Sequence, residues 1–148
     1  MKRSRAFGGT MVLWMKSLDK YITVYPVNSS SYQPVIFSPP GSPISVHIAL
    51  YLPTSGKEAD FLEAITNLSI TIDEIFDRYG ECLIFLRGDA NVNPHNRERM
   101  MIFANFISSK SLVQVHVKHK TYHHFLGGGA FDSNVDIILH SEHAVRLV

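Results

Sequence analysis

Hydrophobic and polar residues alternate along two stretches of the first third of the chain. Over Tyr21–Val27, Tyr21, Thr23 and Tyr25 share one parity and Ile22 and Val24 the other. Over Ser45–Tyr51, Val46, Ile48 and Leu50 oppose Ser45, His47 and Tyr51. A period of two marks half-buried strands. Gln33–Phe37 is a third short strand, closed by Pro39-Pro40-Gly41-Ser42-Pro43, and Phe7–Trp14 reads as a glycine-led apolar strand ahead of them. Four short strands joined by turns predict an antiparallel meander.

The period then changes. Ser55 with Glu58 three residues on has the spacing of a capping box, and Phe61, Leu62, Ile65, Leu68, Ile72, Ile75, Phe76 and Tyr79 follow at helical spacing up to Gly80. That stripe is core packing. Leu83-Ile84-Phe85-Leu86 has no polar parity, so it predicts a strand buried on both faces and ended by Gly88. A second helix is predicted over Arg97–Ser109, with Met100, Ile102, Phe103, Phe106 and Ile107 on its apolar side. After Leu112 the chain is His-rich and short-stranded, Gly127-Gly128-Gly129 is a loop, and Asn134–His140 is a last strand. No repeat or internal boundary divides residues 1–148, so the order predicts one α/β domain with helices packed on sheet.

Composition narrows the function classes. A chain of 148 residues, 45% hydrophobic and 18% charged, can bury a real core. The net charge of +1 provides no global field for nucleic acid, so such binding needs a local patch. Cys82 is the single cysteine and lies beside the apolar run, which excludes a disulfide framework and predicts a buried thiol. No secretory or membrane-spanning run stands out, so the expected setting is intracellular, nuclear or cytoplasmic, with no membrane partner.

Four places carry candidate chemistry. Tyr51-Leu52-Pro53 ends one predicted strand, and Asp89 and Asn91 follow another. A carboxylate and a carboxamide two residues apart at a strand mouth can face one phosphate or one hard cation; they are also common turn residues. Asp136 sits among apolar neighbours, where a carboxylate is costly without a partner. Lys118-His119-Lys120-Thr121-Tyr122-His123-His124-Phe125 interleaves cations and aromatics, a pattern that suits either phosphate contact or a solvated edge strand. Lys118, Lys120, Tyr122 and His123 are its candidate nucleic-acid contacts. His119 and His123 also have a spacing that suits two zinc ligands on a helix, but two lysines flank His119 and no acid or cysteine lies nearby. No metal ligand is assigned.

Read together and in order, Tyr51-Leu52-Pro53, Gly88-Asp89-Ala90-Asn91, Asn96-Arg97, His119-Lys120-Thr121-Tyr122 and Ser133-Asn134-Val135-Asp136 resemble the endonuclease/exonuclease/phosphatase superfamily. Within it, the series is similar to the apurinic/apyrimidinic endonuclease-like domains of non-LTR retrotransposons, and Phe7–Trp14 matches their early strand. The resemblance implies a four-layered α/β sandwich, two facing sheets with helices outside, present here in part. It implies hydrolysis of phosphoester bonds with Mg²⁺ or Mn²⁺, acting on DNA. By the same resemblance Asp89 orients or deprotonates water, Asn91 and Tyr51 donate hydrogen bonds to phosphate oxygens, and Asp136 holds the network.

The departures shape the expectation as much. The family's metal-binding Asn and Glu precede its Phe-Gly-Gly strand, yet this chain has no Glu before Glu58. The family's catalytic His ends a Ser-Asp-His motif on a later strand, whereas Ser141-Glu142-His143 falls only five residues past Asp136. The expectation is therefore a domain lacking the family's first and terminal strands, with uncovered strand edges that offer a route to homo-oligomers. Two functional readings follow. One is a truncated relative of the metal-dependent endonucleases. The other is a catalytically dead nucleic-acid-binding or structural remnant.

Overall fold

The computed structural model describes residues 9–93, 95–115, 122–126, 129–133 and 136–142; over 122–126, 129–133 and Asp136 it describes the course of the backbone. Among the described residues there are eight strands: β1 (Ile22–Val24), β2 (Tyr32–Phe37), β3 (Ser45–Tyr51), β4 (Leu83–Asp89), β5 (Leu112–Gln114), β6 (Tyr122–Leu126), β7 (Gly129–Ser133) and β8 (Asp136–Ser141). Two helices, α1 (Glu58–Tyr79) and α2 (Arg97–Ser109), follow β3 and β4. Six strands form one sheet in the order β1-β2-β3-β4-β8-β5, and β6 pairs with β7 in an antiparallel ribbon.

The predicted meander is present as three strands: β1, β2 and β3 pair antiparallel in sequence order. Its fourth member is not a strand over the described residues. Gly9–Met15 is irregular and leads into a 3-10 turn at Lys16–Tyr21. Met11, Leu13 and Met15 are mostly exposed, and no ladder takes up this segment's backbone. Apolar content alone does not make a strand where no pairing edge is offered.

From β3 the chain crosses through α1 to β4, which lies parallel beside it. The helix forms where its stripe predicts, and Gly80 ends it with a positive φ of 70°. The capping box does not form. The helix starts at Glu58, its N-cap Lys57 makes no side-chain bond, and Glu58 turns instead to Arg99. Phe61, Ala64, Ile65, Leu68, Ile72 and Ile75 join Ile36, Val46, Ile48, Leu50, Ile84, Leu86 and Leu139 in one buried cluster, to which α2 adds Phe103 and Phe106. Buried Thr71 bridges to the Tyr32 hydroxyl at 3.0 Å.

The ladder register assigns the other sheet face to the opposite parity. Val35, His47, Phe85 and His140 form one row across four strands, and the His47 and Phe85 rings stack at 5.2 Å. The segment Met11–Trp14 lines a groove with Phe37, His47 and Phe85 on this side. Leu83 and Phe85 are half-buried while Ile84 and Leu86 are fully buried, so β4 is enclosed on its helix face and partly open on the other. Cys82 is buried as predicted, and burial pushes its thiol up to about 11, which keeps it protonated at neutral pH.

Candidate active site

β4 does not stop at Gly88. It continues to Asp89, and Gly88 lies inside the ladder opposite Leu50 at φ 143°. A Cβ there would stand 1.9 Å from the Leu50 carbonyl oxygen. Glycine is required by the close approach of β3, and the ladder thereby holds together up to its last rung.

That last rung gathers three of the candidate residues. Tyr51 is the register partner of Asp89, and Asp89 is the register partner of Asp136. Adjacent strands lie about 4.8 Å apart, so these backbone positions stand side by side across β3, β4 and β8 at one end of the sheet. Tyr51 and Asp89, as register partners, share the face turned away from the helices.

The fourth residue is placed by a short hydrogen-bonded knot. The Asp89 carboxylate accepts from the Asn91 backbone N–H at 2.8 Å, and the Leu52 N–H donates to the Asp89 carbonyl at 2.9 Å. The Asn91 side-chain amide donates to the Leu52 carbonyl at 2.7 Å. Asn91 itself has φ 49°, in the left-handed region that asparagine tolerates better than most residues. Buried Leu52 and Ala90 seat both loops against the core. Tyr51, Asp89 and Asn91 are each partly exposed.

A residue that sequence reasoning passed over lies beneath this knot. Arg99, on the first turn of α2, is fully buried. Its Nε pairs with Glu58, one terminal nitrogen donates to the Pro53 and Asn91 carbonyls, and the other to the Thr54 carbonyl. The guanidinium lies 4.3 Å from the centre of the Phe61 ring. The Asn96 side chain caps this helix by accepting from the Arg99 N–H. The signal was available: Arg99, Phe103 and Phe106 repeat at helical spacing, and these three are the buried residues of α2, whereas Met100 is exposed.

The second group of candidates is less fully in view. Lys118 and Lys120 lie outside the described residues, as do His116 and His119. Tyr122 and His123 fall in β6, paired with Ser133 and Asp132 of β7. His123 thus lies in a strand, and the zinc pair with His119 reaches outside the described residues.

This arrangement of sheet and helices matches solved structures. The endonuclease domain of TRAS1, a telomere-specific non-LTR retrotransposon, superposes with a TM-score of 0.66 at 16% identity, over 85% of this chain and 57% of that one. This is the endonuclease/exonuclease/phosphatase fold. The same fold relates the chain to the human Nocturnin catalytic domain (TM-score 0.54, 13% identity, 84% and 50% covered). It also relates it to TDP2 from Caenorhabditis elegans (TM-score 0.56, 14% identity, 82% and 41% covered). The chain thus spans about half the length of these structures. No family model and no curated protein matches its sequence. No helix among the described residues is long and apolar enough to cross a membrane.

A hard cation such as Mg²⁺ or Mn²⁺ prefers oxygen donors. Asp89 and Asn91 are of that type. Among the described residues, however, no group of three or more His, Cys, Asp or Glu comes together to hold a metal. Among the described residues the donor set does not make a metal site.

Proposed function

We propose that the mouth of β3, β4 and β8 binds a nucleic-acid phosphodiester and that the chain belongs, in activity, with the phosphodiester hydrolases of this fold. The observation that carries the reading is the shared rung of Tyr51, Asp89 and Asp136, with Asn91 tied to Asp89 beside it. Hydrolysis needs a group to orient the attacking water and donors for the charge that grows on the phosphate oxygens. Asp89 serves as the first, its carboxylate aimed by the Asn91 N–H. Tyr51 serves as a donor through its hydroxyl. Asn91 has a second amide hydrogen beyond the one given to Leu52, and that hydrogen is its donor to phosphate. Asp136 supports the rung from β8. The stretch Lys118–His123 supplies cations for the flanking backbone.

The test is nicking of supercoiled plasmid DNA by purified protein, with Mg²⁺ or Mn²⁺ and with EDTA, beside Asp89→Ala and Tyr51→Phe. The reading expects nicking that falls by about 10²–10⁴ in Asp89→Ala and by about 10²–10³ in Tyr51→Phe, with both variants folded. A folded parent that fails to nick under any of these ions removes the hydrolase reading. Plasmid binding that weakens steeply with salt would then support a binding-only role at the same mouth. Cleavage by Asp89→Ala at the parent's rate removes Asp89 from the mechanism.

A further inference from the structure

We infer that Arg99 is a positioning residue that sets the site loops after β3 and β4 relative to one another; the functional part of this inference rests on the reading of the mouth given above. A charged side chain is seldom fully buried, and when it is, its hydrogen bonds show what it holds. Arg99 spends its bonds on backbone. Pro53 and Thr54 belong to the loop that leaves Tyr51, and Asn91 belongs to the loop that leaves Asp89. One planar guanidinium therefore spans both loops, while Glu58 at the start of α1 and the Phe61 ring fix its own orientation.

The consequence is specific. The strand ladder fixes Tyr51 and Asp89 but ends there. Beyond it, Asn91 is held in a left-handed conformation by its bonds to Asp89 and Leu52 and by the pull of Arg99 on its carbonyl. Removing the guanidinium leaves three carbonyls short of a donor and frees the Asn91 loop to turn. Lysine cannot replace it, because one ammonium on a flexible stem cannot reach carbonyls on two loops and the Glu58 carboxylate together.

Native-state hydrogen exchange tests this without reference to catalysis. The reporters are the amides of Leu52 and Asn91, both bonded to Asp89, against Leu86 in the core of β4. In Arg99→Met, protection at Leu52 and Asn91 should fall by about tenfold or more beyond any fall at Leu86. In Arg99→Lys the excess should be intermediate. Should Arg99→Met not fold, Arg99→Lys carries the same comparison against the parent. Equal losses at all three amides, or none, would overturn the inference, because Arg99 would then be packing alone. If the parent nicks plasmid, Arg99→Lys should lower kcat more than it raises KM. If the parent does not nick, the hydrolase reading fails while the exchange pattern still decides the role of Arg99 in the loops.

Discussion

Single residues carry more of this site than their chemistry suggests. Gly88 looks like a turn residue in sequence, at the end of a strand. In the structure it is a strand residue whose missing side chain admits the Leu50 carbonyl. Gly88→Ala should therefore destabilise the protein by at least ~3 kcal/mol, above the usual range for overpacking, because backbone must move. Thermal unfolding checks this, and an unchanged Tm would mean that β3 can yield at this rung. Asn91 permits a finer separation. Asn91→Gly keeps the left-handed backbone available and loses only the side-chain bond to Leu52, while Asn91→Ala loses both. The glycine variant should be more stable than the alanine variant by about 1 kcal/mol, measured by chemical denaturation. Equal stabilities would mean that the φ of Asn91 carries no strain.

At the scale of elements, periodicity revealed most of the fold. α2 spans Arg97–Ser109 as its pattern predicted, and α1 ends at Gly80 as expected. The faces were less legible. Leu62 has the phase of the buried stripe of α1 yet is half exposed, while Ala64 and Thr71, too small or too polar to mark a stripe, are buried. Small and hydroxylated residues sit where helix and sheet come close, and a hydrophobicity pattern undercounts them. Leu68→Ala and Ile72→Ala should each cost about 2–5 kcal/mol, while Ile70→Ala, on the exposed side, should stay within about 0.5 kcal/mol. A large loss from Ile70→Ala would show that this side of α1 is covered by something in solution. The placement of the candidate residues Asp89, Asn91 and Tyr51 at strand ends is legible in the sequence, because glycine and polar residues there interrupt apolar runs. Their common rung was not, since a parallel register between strands 32 residues apart at their closest (Tyr51 to Leu83) leaves no trace in local pattern. Arg99 escaped for the opposite reason: its residue type argued for solvent while its phase argued for the core.

Across the whole molecule, two groups on different elements give stability the same dependence on pH. His47 lies on the sheet face away from the helices, stacked on Phe85, with Ser45 Oγ 3.1 Å from its ring nitrogen. Burial first, and the Arg87 guanidinium second, hold it below its ordinary value of 6.5. The unfolded chain therefore binds a proton before the folded one does, so the contribution of His47 is complete above pH 6.5 and is lost as pH falls through its folded value. Glu58 is held below its ordinary value of 4.5, chiefly by the hydrogen bond from Arg99. Its contribution is likewise complete above pH 4.5 and is lost as pH falls through its own folded value. The two windows follow one another down the acid limb and can be separated. His47→Phe should flatten the stability curve just below pH 6.5 and leave the lower part intact. Glu58→Gln should flatten the lower part alone. Urea midpoints measured from pH 7 to pH 3 read both, and a His47→Phe curve that keeps the parent's slope just below pH 6.5 would place the upper titration on another group.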